Sequence, residues 1–291
     1  MKVISLADDR VKDFISYCVK YCPEQDESFI PRVDYTPGKD ETTFLQLDDN
    51  DKITGVASLM IKRDYRDGRF RIFHCIDKSV ENYKALLDSI LKNTDGLDNI
   101  FCFITEDKSD VWKIWEELGF KSKRYSFVME RKIEHRVDYS MPENFSIRKM
   151  NGEHEEQEYC DIINSAFADI AGHTHFTIDN ITEMKKDISH FDGGFNILWE
   201  KDKPAGIVKL LKTNEDGIET LFIDSIGVHK SYQGNGLGRS LLRYAINRGV
   251  DMGLKHAMLT VNAENNNATS LYLKEGFNKS VVYICYNKNL K

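Results

Sequence analysis

Residues 228–239 read Val-His-Lys-Ser-Tyr-Gln-Gly-Asn-Gly-Leu-Gly-Arg and are the most informative stretch of the sequence. They follow a strand-like apolar run at 221–228 and lead into a helical pattern in which Leu237, Leu241 and Leu242 share one face. A glycine-rich turn between a strand and a helix leaves successive backbone N–H groups unpaired at the positive end of the helix dipole. This pattern predicts a binding site for phosphate oxygens, above all for a pyrophosphate.

Two common phosphate-binding turns do not fit the spacing of these glycines. A P-loop ends in Gly-Lys-Ser/Thr, whereas Gly238 is followed by Arg239. A dinucleotide-binding turn needs G-x-G-x-x-G, whereas Gly234, Gly236 and Gly238 are spaced by two. The pattern that fits is Q-x-x-G-x-G, beginning at Gln233.

A second motif follows at residues 259–277, which read Leu-Thr-Val-Asn-Ala-Glu-Asn-Asn-Asn-Ala-Thr-Ser-Leu-Tyr-Leu-Lys-Glu-Gly-Phe. An apolar strand ends at Val261, and the asparagine run that follows can cap a helix. Gly276 is a natural end for that helix. The β-rich run at 281–286 then returns the chain to a sheet.

The two motifs, in this order, resemble those of the GNAT superfamily of N-acetyltransferases. That superfamily carries a Q/R-x-x-G-x-G/A loop and, downstream, N-x-x-A followed by L-Y-x-x-x-G-F. Residues at six positions match the downstream signatures: Asn265, Ala268, Leu271, Tyr272, Gly276 and Phe277. The resemblance implies that acetyl-CoA is the co-substrate.

The resemblance also implies roles for individual residues. Backbone groups of Ile226, Gly227 and Val228 would hold the pantetheine arm and polarise the thioester, and Asn265 would contact pantetheine. Seven residues would bind the pyrophosphate through their amides: Gln233, Gly234, Asn235, Gly236, Leu237, Gly238 and Arg239.

Acyl transfer to an amine needs a base for the amine proton and an acid for the leaving thiolate. The resemblance assigns the acid role to Tyr272, although the same residue type also fits a purely packing role. Asp224 lies two residues before Ile226, on the same face of the strand, and is the base candidate. A carboxylate in this position equally fits a solvated residue or a partner for lysine or arginine.

The first half of the sequence repeats the pattern of the second. Residues 111–120 match 268–277, and residues 44–59 match 195–210, at nearly constant offsets. This repetition indicates a tandem duplication. We therefore expect an α/β (α+β) protein of two tandem GNAT-like domains, each a mixed, mostly antiparallel sheet flanked by helices.

The first copy is expected to lack a cofactor site. Aligned on its apolar helix, it carries Glu81 and Tyr83 where the second copy has Gly236 and Gly238. A carboxylate repels a pyrophosphate, and a phenol ring blocks its approach to the backbone. The expected organisation is a degenerate domain at 1–135, a linker at 136–144 and an acetyl-CoA-binding domain at 145–291, with Trp115 in the place of Tyr272.

Composition limits the classes of partner. The 291 residues are 41% hydrophobic and 30% charged, which is typical of globular proteins of about two domains. A net charge of −7 disfavours nucleic acid. The sequence has no apolar run long enough to cross a membrane and no secretory signal at its start, so a cytoplasmic monomer or homodimer is expected.

No metal site is expected. Cys18 and Cys22 lie four apart, but no second ligand pair accompanies them. His173 and His175 lie in what should be the loop over the acceptor, and no third ligand is visible near them.

These patterns favour an N-acetyltransferase that moves the acetyl group of acetyl-CoA to a primary amine of a small molecule or peptide. The alternative is a non-catalytic module that binds or senses acetyl-CoA. An aminoacyl transferase using charged transfer RNA is disfavoured by the negative charge and by the intact loop at 233–238.

Overall fold

The structure is a computed structural model that describes residues 2–170, 173–215 and 217–291. The chain forms two compact units. Unit 1 comprises Met1–Ser126 together with Val281–Lys291, and unit 2 comprises Phe127–Ser280. This division differs from the expected boundaries at 135 and 145, because it falls within two long strands rather than in the segment 136–144.

Among the described residues, the first half of the chain contains six strands and three α-helices. It begins with β1 (Lys2–Ser5) and α1 (Val11–Tyr21). A meander follows, consisting of β2 (Glu41–Leu47), β3 (Ile53–Lys62) and β4 (Asp67–Cys75). The remaining elements are α2 (Val80–Leu91), β5 (Asn99–Thr105), α3 (Ser109–Glu117) and β6 (Lys121–Lys132).

The second half repeats this order with one additional helix. It begins with β7 (Phe145–Lys149), α4 (Gly152–Phe167) and α5 (Ile178–Lys185). The meander consists of β8 (Phe195–Glu200), β9 (Lys203–Glu215) and β10 (Ile218–Val228). The remaining elements are α6 (Leu237–Asp251), β11 (His256–Asn262), α7 (Asn266–Lys274) and β12 (Asn278–Asn289).

The two units have the same sheet topology. Strands follow the order β1-β2-β3-β4-β5-β12 in unit 1 and β7-β8-β9-β10-β11-β6 in unit 2. The β4–β5 and β10–β11 pairs are parallel, and the meander pairs and β5–β12 are antiparallel. Unit 1 therefore takes its sixth strand from the end of the second half, and unit 2 takes its sixth strand from the end of the first. The predicted fold class is confirmed.

Helices α4 and α6 of unit 2 each pack one apolar face on the sheet. Leu241, Leu242 and Ala245 of α6 are buried in one core cluster, and Tyr159 and Ile163 of α4 are buried in another. The 3.6-residue spacing of these side chains forms the apolar stripe that a sheet can cover. In the described part of the chain, no helix has the length and apolar character that a membrane crossing requires.

The duplication extends to single hydrogen bonds at the ends of α3 and α7. The Phe120 N–H donates to the Trp115 carbonyl at 2.9 Å, and the Phe277 N–H donates to the Tyr272 carbonyl at 3.0 Å. The glycines that end these helices have φ values of +86° at Gly119 and +82° at Gly276. A left-handed residue here requires glycine, which explains why this signature survives in both copies.

The meanders share one β-bulge. Gly55 pairs with Cys75 in unit 1, and Gly206 pairs with Val228 in unit 2. Four residues before Cys75 and Val228, each strand contains one extra residue that has no partner in the register. This residue is Arg71 in β4 and Asp224 in β10. Arg71 and Asp224 therefore occupy equivalent positions.

The loops that follow β4 and β10 differ in length. Three residues (76–78) separate β4 from Ser79, the N-cap of α2, whereas seven (229–235) separate β10 from Gly236, the N-cap of α6. Aligned on the caps, Ser79 and not Glu81 stands in the place of Gly236. The loop of the first copy is four residues shorter, and the sequence alignment on the helix core did not detect this difference.

Candidate functional site

The glycine loop joins β10 to α6 in unit 2. Gly234 and Gly236 have φ values of +83° and +78°, which L-residues rarely adopt. A Cβ added at either position would meet nothing within 4 Å. Within the described ranges, the backbone N–H groups of residues 234–238 have no acceptor in the protein. The loop is thus open and presents N–H groups at the start of a helix.

The chain holds this loop in place through its own side chains. The Gln233 side-chain amide donates to the Val228 carbonyl at 3.0 Å, and the Asn235 side-chain amide donates to the Tyr232 carbonyl at 3.2 Å. Leu237 anchors the helix start in the core. Gln233 and Asn235 thus stabilise the turn through their side chains. The Gln233 N–H donates to the Lys230 carbonyl at 3.4 Å, so of these two residues only Asn235 has a backbone N–H free to contact a ligand.

Arg239 lies beside the loop and is held by a buried carboxylate. Its guanidinium pairs with Glu275 at 3.1 Å, and Arg243 pairs with the same carboxylate at 2.8 Å. Arg239 remains half-exposed. Gly238 faces Leu271, whose Cδ2 would lie 3.8 Å from an added Cβ, an ordinary contact distance.

The strands β10 and β11 part before the loop. Their last pair is Ile223 with Leu259, so Ile226, Gly227 and Val228 lie beyond the ladder. A Cβ at Gly227 would lie 3.1 Å from both Ala166 and Phe167 of α4, so this strand end approaches α4 closely. The backbone of 226–228 therefore borders a gap in the sheet that leads to the glycine loop.

Tyr272 lies on α7 with its ring buried. Burial raises the pKa of its phenol to about 12, so the hydroxyl keeps its proton at neutral pH. Its ring contacts Phe277 at a centroid distance of 6.1 Å. Within the described part of the chain, the hydroxyl has no hydrogen-bond partner, which leaves it able to donate.

Asn265 caps α7 and lines a cavity. Its side-chain oxygen accepts from the Ala268 N–H at 3.1 Å. The cavity, of about 430 Å³, is also lined by Asp169 and Ile170. The capping role occupies the oxygen of Asn265 but not its NH₂ group.

Asp224 forms an ion pair. The sequence allowed three roles for this carboxylate: a base, a solvated residue or a partner for lysine or arginine. Its carboxylate lies 3.4 Å from the ammonium of Lys209, whose side chain is only 4% exposed. The ammonium also lies 5.4 Å from the centre of the Phe195 ring. Lys209 was missed in the sequence, although a lysine inside the apolar run 205–211 was the available signal.

The remaining polar candidates are His173, His175, Cys18 and Cys22. Among the described residues, no group of three possible ligands is present. Burial lowers the pKa of His173, whose ring stacks on Phe167. Residues 171 and 172 of the expected acceptor loop lie outside the described residues. Cys18 and Cys22 are buried free thiols.

Comparison with known proteins agrees with this geometry. Residues 157–277 match the acetyltransferase (GNAT) family. This segment, which is less than half of the chain, is similar to the GNAT acetyltransferases. The matched range spans both motifs, so the resemblance drawn from them is confirmed.

Curated relatives match about half of the chain at modest identity. The mycothiol acetyltransferase of Kytococcus sedentarius is 25% identical over 146 residues, covering 50% of this chain and 49% of that protein. The mycothiol acetyltransferase of Kocuria rhizophila is 28% identical over 156 residues, covering 52% and 51%. The chain spans about half the length of the curated relatives it matches.

Solved GNAT structures share the fold along the whole chain. A GCN5-related N-acetyltransferase from Sphaerobacter thermophilus superposes with a TM-score of 0.74 at 15% identity, covering 100% of this chain and 96% of that one. A tandem GNAT protein from the clavulanic acid biosynthesis pathway superposes with a TM-score of 0.72 at 10% identity, covering 99% and 98%. The tandem GNAT architecture is therefore shared, at identities that speak for the fold alone.

Proposed function

We propose that the protein is an N-acetyltransferase that transfers the acetyl group of acetyl-CoA directly to a primary amine. The observation that carries this proposal is the glycine loop of unit 2. Its free N–H groups face outward from the start of α6, where the helix dipole favours an anion. The gap between β10 and β11 leads from this loop to Asp224.

The residues present suit coenzyme A. Backbone N–H groups of residues 234–238 would bind the pyrophosphate, with the Gln233 side chain holding the turn and Arg239 adding positive charge nearby. The strand end at 226–228 would pair with the amides of the pantetheine arm, and the Asn265 NH₂ group would contact the same arm. When bound, acetyl-CoA supplies an activated acyl group as a thioester.

The proton transfers are assigned to Tyr272 and Asp224. A lysine-like amine has a pKa of about 10.4 and must lose a proton before it attacks. Asp224 would take that proton, and the neutral amine would then form the new C–N bond and lose its second proton to water. As the C–S bond breaks, Tyr272 would donate its phenolic proton to the departing sulfur.

A small-molecule acceptor is the better supported class. The curated relatives are named mycothiol acetyltransferases, and that name refers to no peptide or protein acceptor. We extend this acceptor class to the protein as a proposal. Either acceptor class needs the same amine chemistry.

One observation favours a non-catalytic acetyl-CoA-sensing module instead. The ion pair with Lys209 occupies one side of the Asp224 carboxylate. A sensing module would bind acetyl-CoA without releasing free thiol in the presence of any amine. Thiol release with a panel of small amines therefore separates the two functions.

Substitution of Gly236 tests the phosphate site. Gly236→Asp and Gly236→Asn carry the same left-handed strain, but only aspartate places a negative charge beside the pyrophosphate. Calorimetry should show acetyl-CoA binding at least about tenfold weaker for Gly236→Asp than for Gly236→Asn, about 1.4 kcal/mol. Equal dissociation constants for the two variants would show that the loop does not bind the pyrophosphate.

A further inference from the structure

Gln25 of unit 1 makes an unusual pair of hydrogen bonds. Its side-chain oxygen accepts from the Phe73 N–H at 3.1 Å, and its side-chain NH₂ donates to the Phe73 carbonyl at 2.5 Å. Gln25 is buried, with 4% of its surface exposed. One side-chain amide thus satisfies both backbone groups of a β4 residue, as a neighbouring strand would in a sheet.

Phe73 occupies the position of Ile226 in unit 2. Each is the second residue after the bulge residue, Arg71 in β4 and Asp224 in β10. Each also lies beyond the last parallel pair of its strand, so the ladder no longer occupies its backbone. Gln25 therefore binds the backbone groups that, in unit 2, we assign to the pantetheine arm.

Two arginines of β4 hold the segment around Gln25. Arg69 pairs with Asp26 at 2.6 Å, and its guanidinium lies 4.4 Å from the centre of the Phe29 ring. Arg71 donates to the Phe29 carbonyl at 2.6 Å. Because both arginine side chains are largely buried, these contacts are stronger than surface ion pairs. The segment is thus a fixed part of unit 1.

We infer that unit 1 retains an amide-binding slot, formed by the backbone of Phe73, and that the chain fills this slot with the side chain of Gln25. The ligand class of the slot is an uncharged amide. The equivalence to a pantetheine site rests on the proposed function of unit 2. Loss of four loop residues removed the phosphate site of unit 1, whereas the amide slot was kept and closed from within.

Removal of the Gln25 side chain should open the slot to an external amide. Gln25→Ala should melt below the parent protein, and pantetheine should raise its Tm by about 3 °C. The measurement is made with saturating coenzyme A, so that the unit 2 site is already filled. Under the same conditions, pantetheine should leave the Tm of the parent unchanged.

Gln46→Ala is the matched control, since Gln46 is a second buried glutamine of unit 1 whose amide donates to the Asn82 side chain instead of to a strand. Pantetheine should not stabilise this variant. Failure of pantetheine to stabilise Gln25→Ala, or equal stabilisation of both variants, would overturn the inference.

Gln25→Met provides a second measurement if the alanine variant does not fold. Methionine fills a similar volume but can neither donate to nor strongly accept from Phe73. Hydrogen exchange at the Phe73 amide should be at least about tenfold faster in Gln25→Met than in the parent. Unchanged exchange would contradict the slot. Absence of coenzyme A binding in the parent would count against the proposed function alone, because this exchange measurement needs no cofactor.

Discussion

Burial fixes the protonation state of the proposed acid. The pKa of Tyr272 is raised to about 12 because the ionised phenolate would be poorly solvated, so the proton stays on the oxygen until strongly alkaline pH. A group that is always protonated at neutral pH is a competent donor to a thiolate. It also contributes no descending limb to a pH–rate profile below about pH 11.

Tyr272→Phe should therefore lower kcat about 100-fold and leave the acetyl-CoA dissociation constant near the parent value, because only the donated proton is lost. Thiol release gives kcat, and calorimetry gives the dissociation constant. Tyr286→Phe is a suitable control, since Tyr286 is a buried tyrosine of unit 1. A parent-like kcat in Tyr272→Phe would reduce Tyr272 to a packing residue.

Burial has the opposite effect on His74, which accepts or donates a 2.8 Å hydrogen bond with the Tyr17 hydroxyl. Burial lowers the pKa of His74 to about 4, below its value of about 6.5 in an unfolded chain. The unfolded state then binds the proton more readily than the folded state. Stability is lost as the pH falls from about 6.5 towards 4.

Between pH 7 and pH 5, the parent should lose about 2 kcal/mol of unfolding free energy through this histidine. Urea unfolding of His74→Gln at both pH values should show a correspondingly smaller loss. His154→Gln, at an exposed histidine, should keep the parent's dependence. If His74→Gln retained that dependence as well, another group would be responsible.

The bulge in β10 is the element that brings Asp224 to Lys209. Without the extra residue, period-two alternation would continue along the strand and Asp224 would not share a face with Lys209. The pair also explains how a lysine is tolerated in a buried strand. The sequence predicted Asp224 on the face of Ile226, and this was wrong, because the bulge turns Asp224 to the opposite face, where it meets Lys209. A one-residue bulge leaves no clear signature in composition.

Removal of one partner of the Asp224–Lys209 pair should lower the unfolding free energy more than removal of both partners. Asp224→Asn leaves the buried ammonium of Lys209 without its counter-charge and should lower the unfolding free energy by about 3 kcal/mol. The double variant Lys209→Met/Asp224→Asn should recover most of that loss in denaturant unfolding. Additive losses would show that the pair is weakly coupled.

The same double variant tests Asp224 as the base independently of stability. It is expected to fold and to bind acetyl-CoA, yet to turn over at least about 100-fold more slowly than the parent, because no carboxylate takes the amine proton. Lys209→Met alone serves as the control for activity. Parent-like turnover in the double variant would assign the base role to another group.

At the level of elements, the sequence predicted the ends of the two matching helices but not the difference in length between the two loops. Gly119 and Gly276 end matching helices in the left-handed region, so their signature remained readable in both copies. The difference of four residues in the loop after β4 was not predicted, because the strand before the loop and the helix after it each match the second copy, but at different sequence offsets. The sequence analysis predicted that unit 1 lacks a phosphate loop because Glu81 and Tyr83 replace glycines. In the structure, both residues lie within α2, and the loop before the helix is shorter.

For the whole molecule, the sequence repeat predicted the tandem fold, but it did not predict which unit contains β6 and which contains β12. Each repeat alone contains strands enough to suggest a self-contained domain ending near 135. Only pairing information shows that β12 lies beside β5 and that β6 lies beside β11. Strand pairing depends on contacts far apart in sequence, which a local pattern cannot specify.

A chain ending at Ser280 should therefore damage unit 1 first. Residues 281–291 bury Ile284, Cys285 and Tyr286 in unit 1, and Tyr286 stacks on Trp112. Tryptophan fluorescence of the shortened chain should shift to the red, while acetyl-CoA binding in unit 2 persists. A chain ending at Asn289, which keeps β12, is the control. Unchanged fluorescence in the chain ending at Ser280 would contradict this dependence.

The exchange of sixth strands has a consequence for synthesis on the ribosome. Every other strand of unit 1 leaves the exit tunnel before unit 2 is made, yet β12 emerges only after all of unit 2. Until then, β5 presents an unpaired edge, the kind of surface that recruits chaperones or another nascent chain. The first unit to be translated is thus the last to be completed, and its folding is timed by translation of the second.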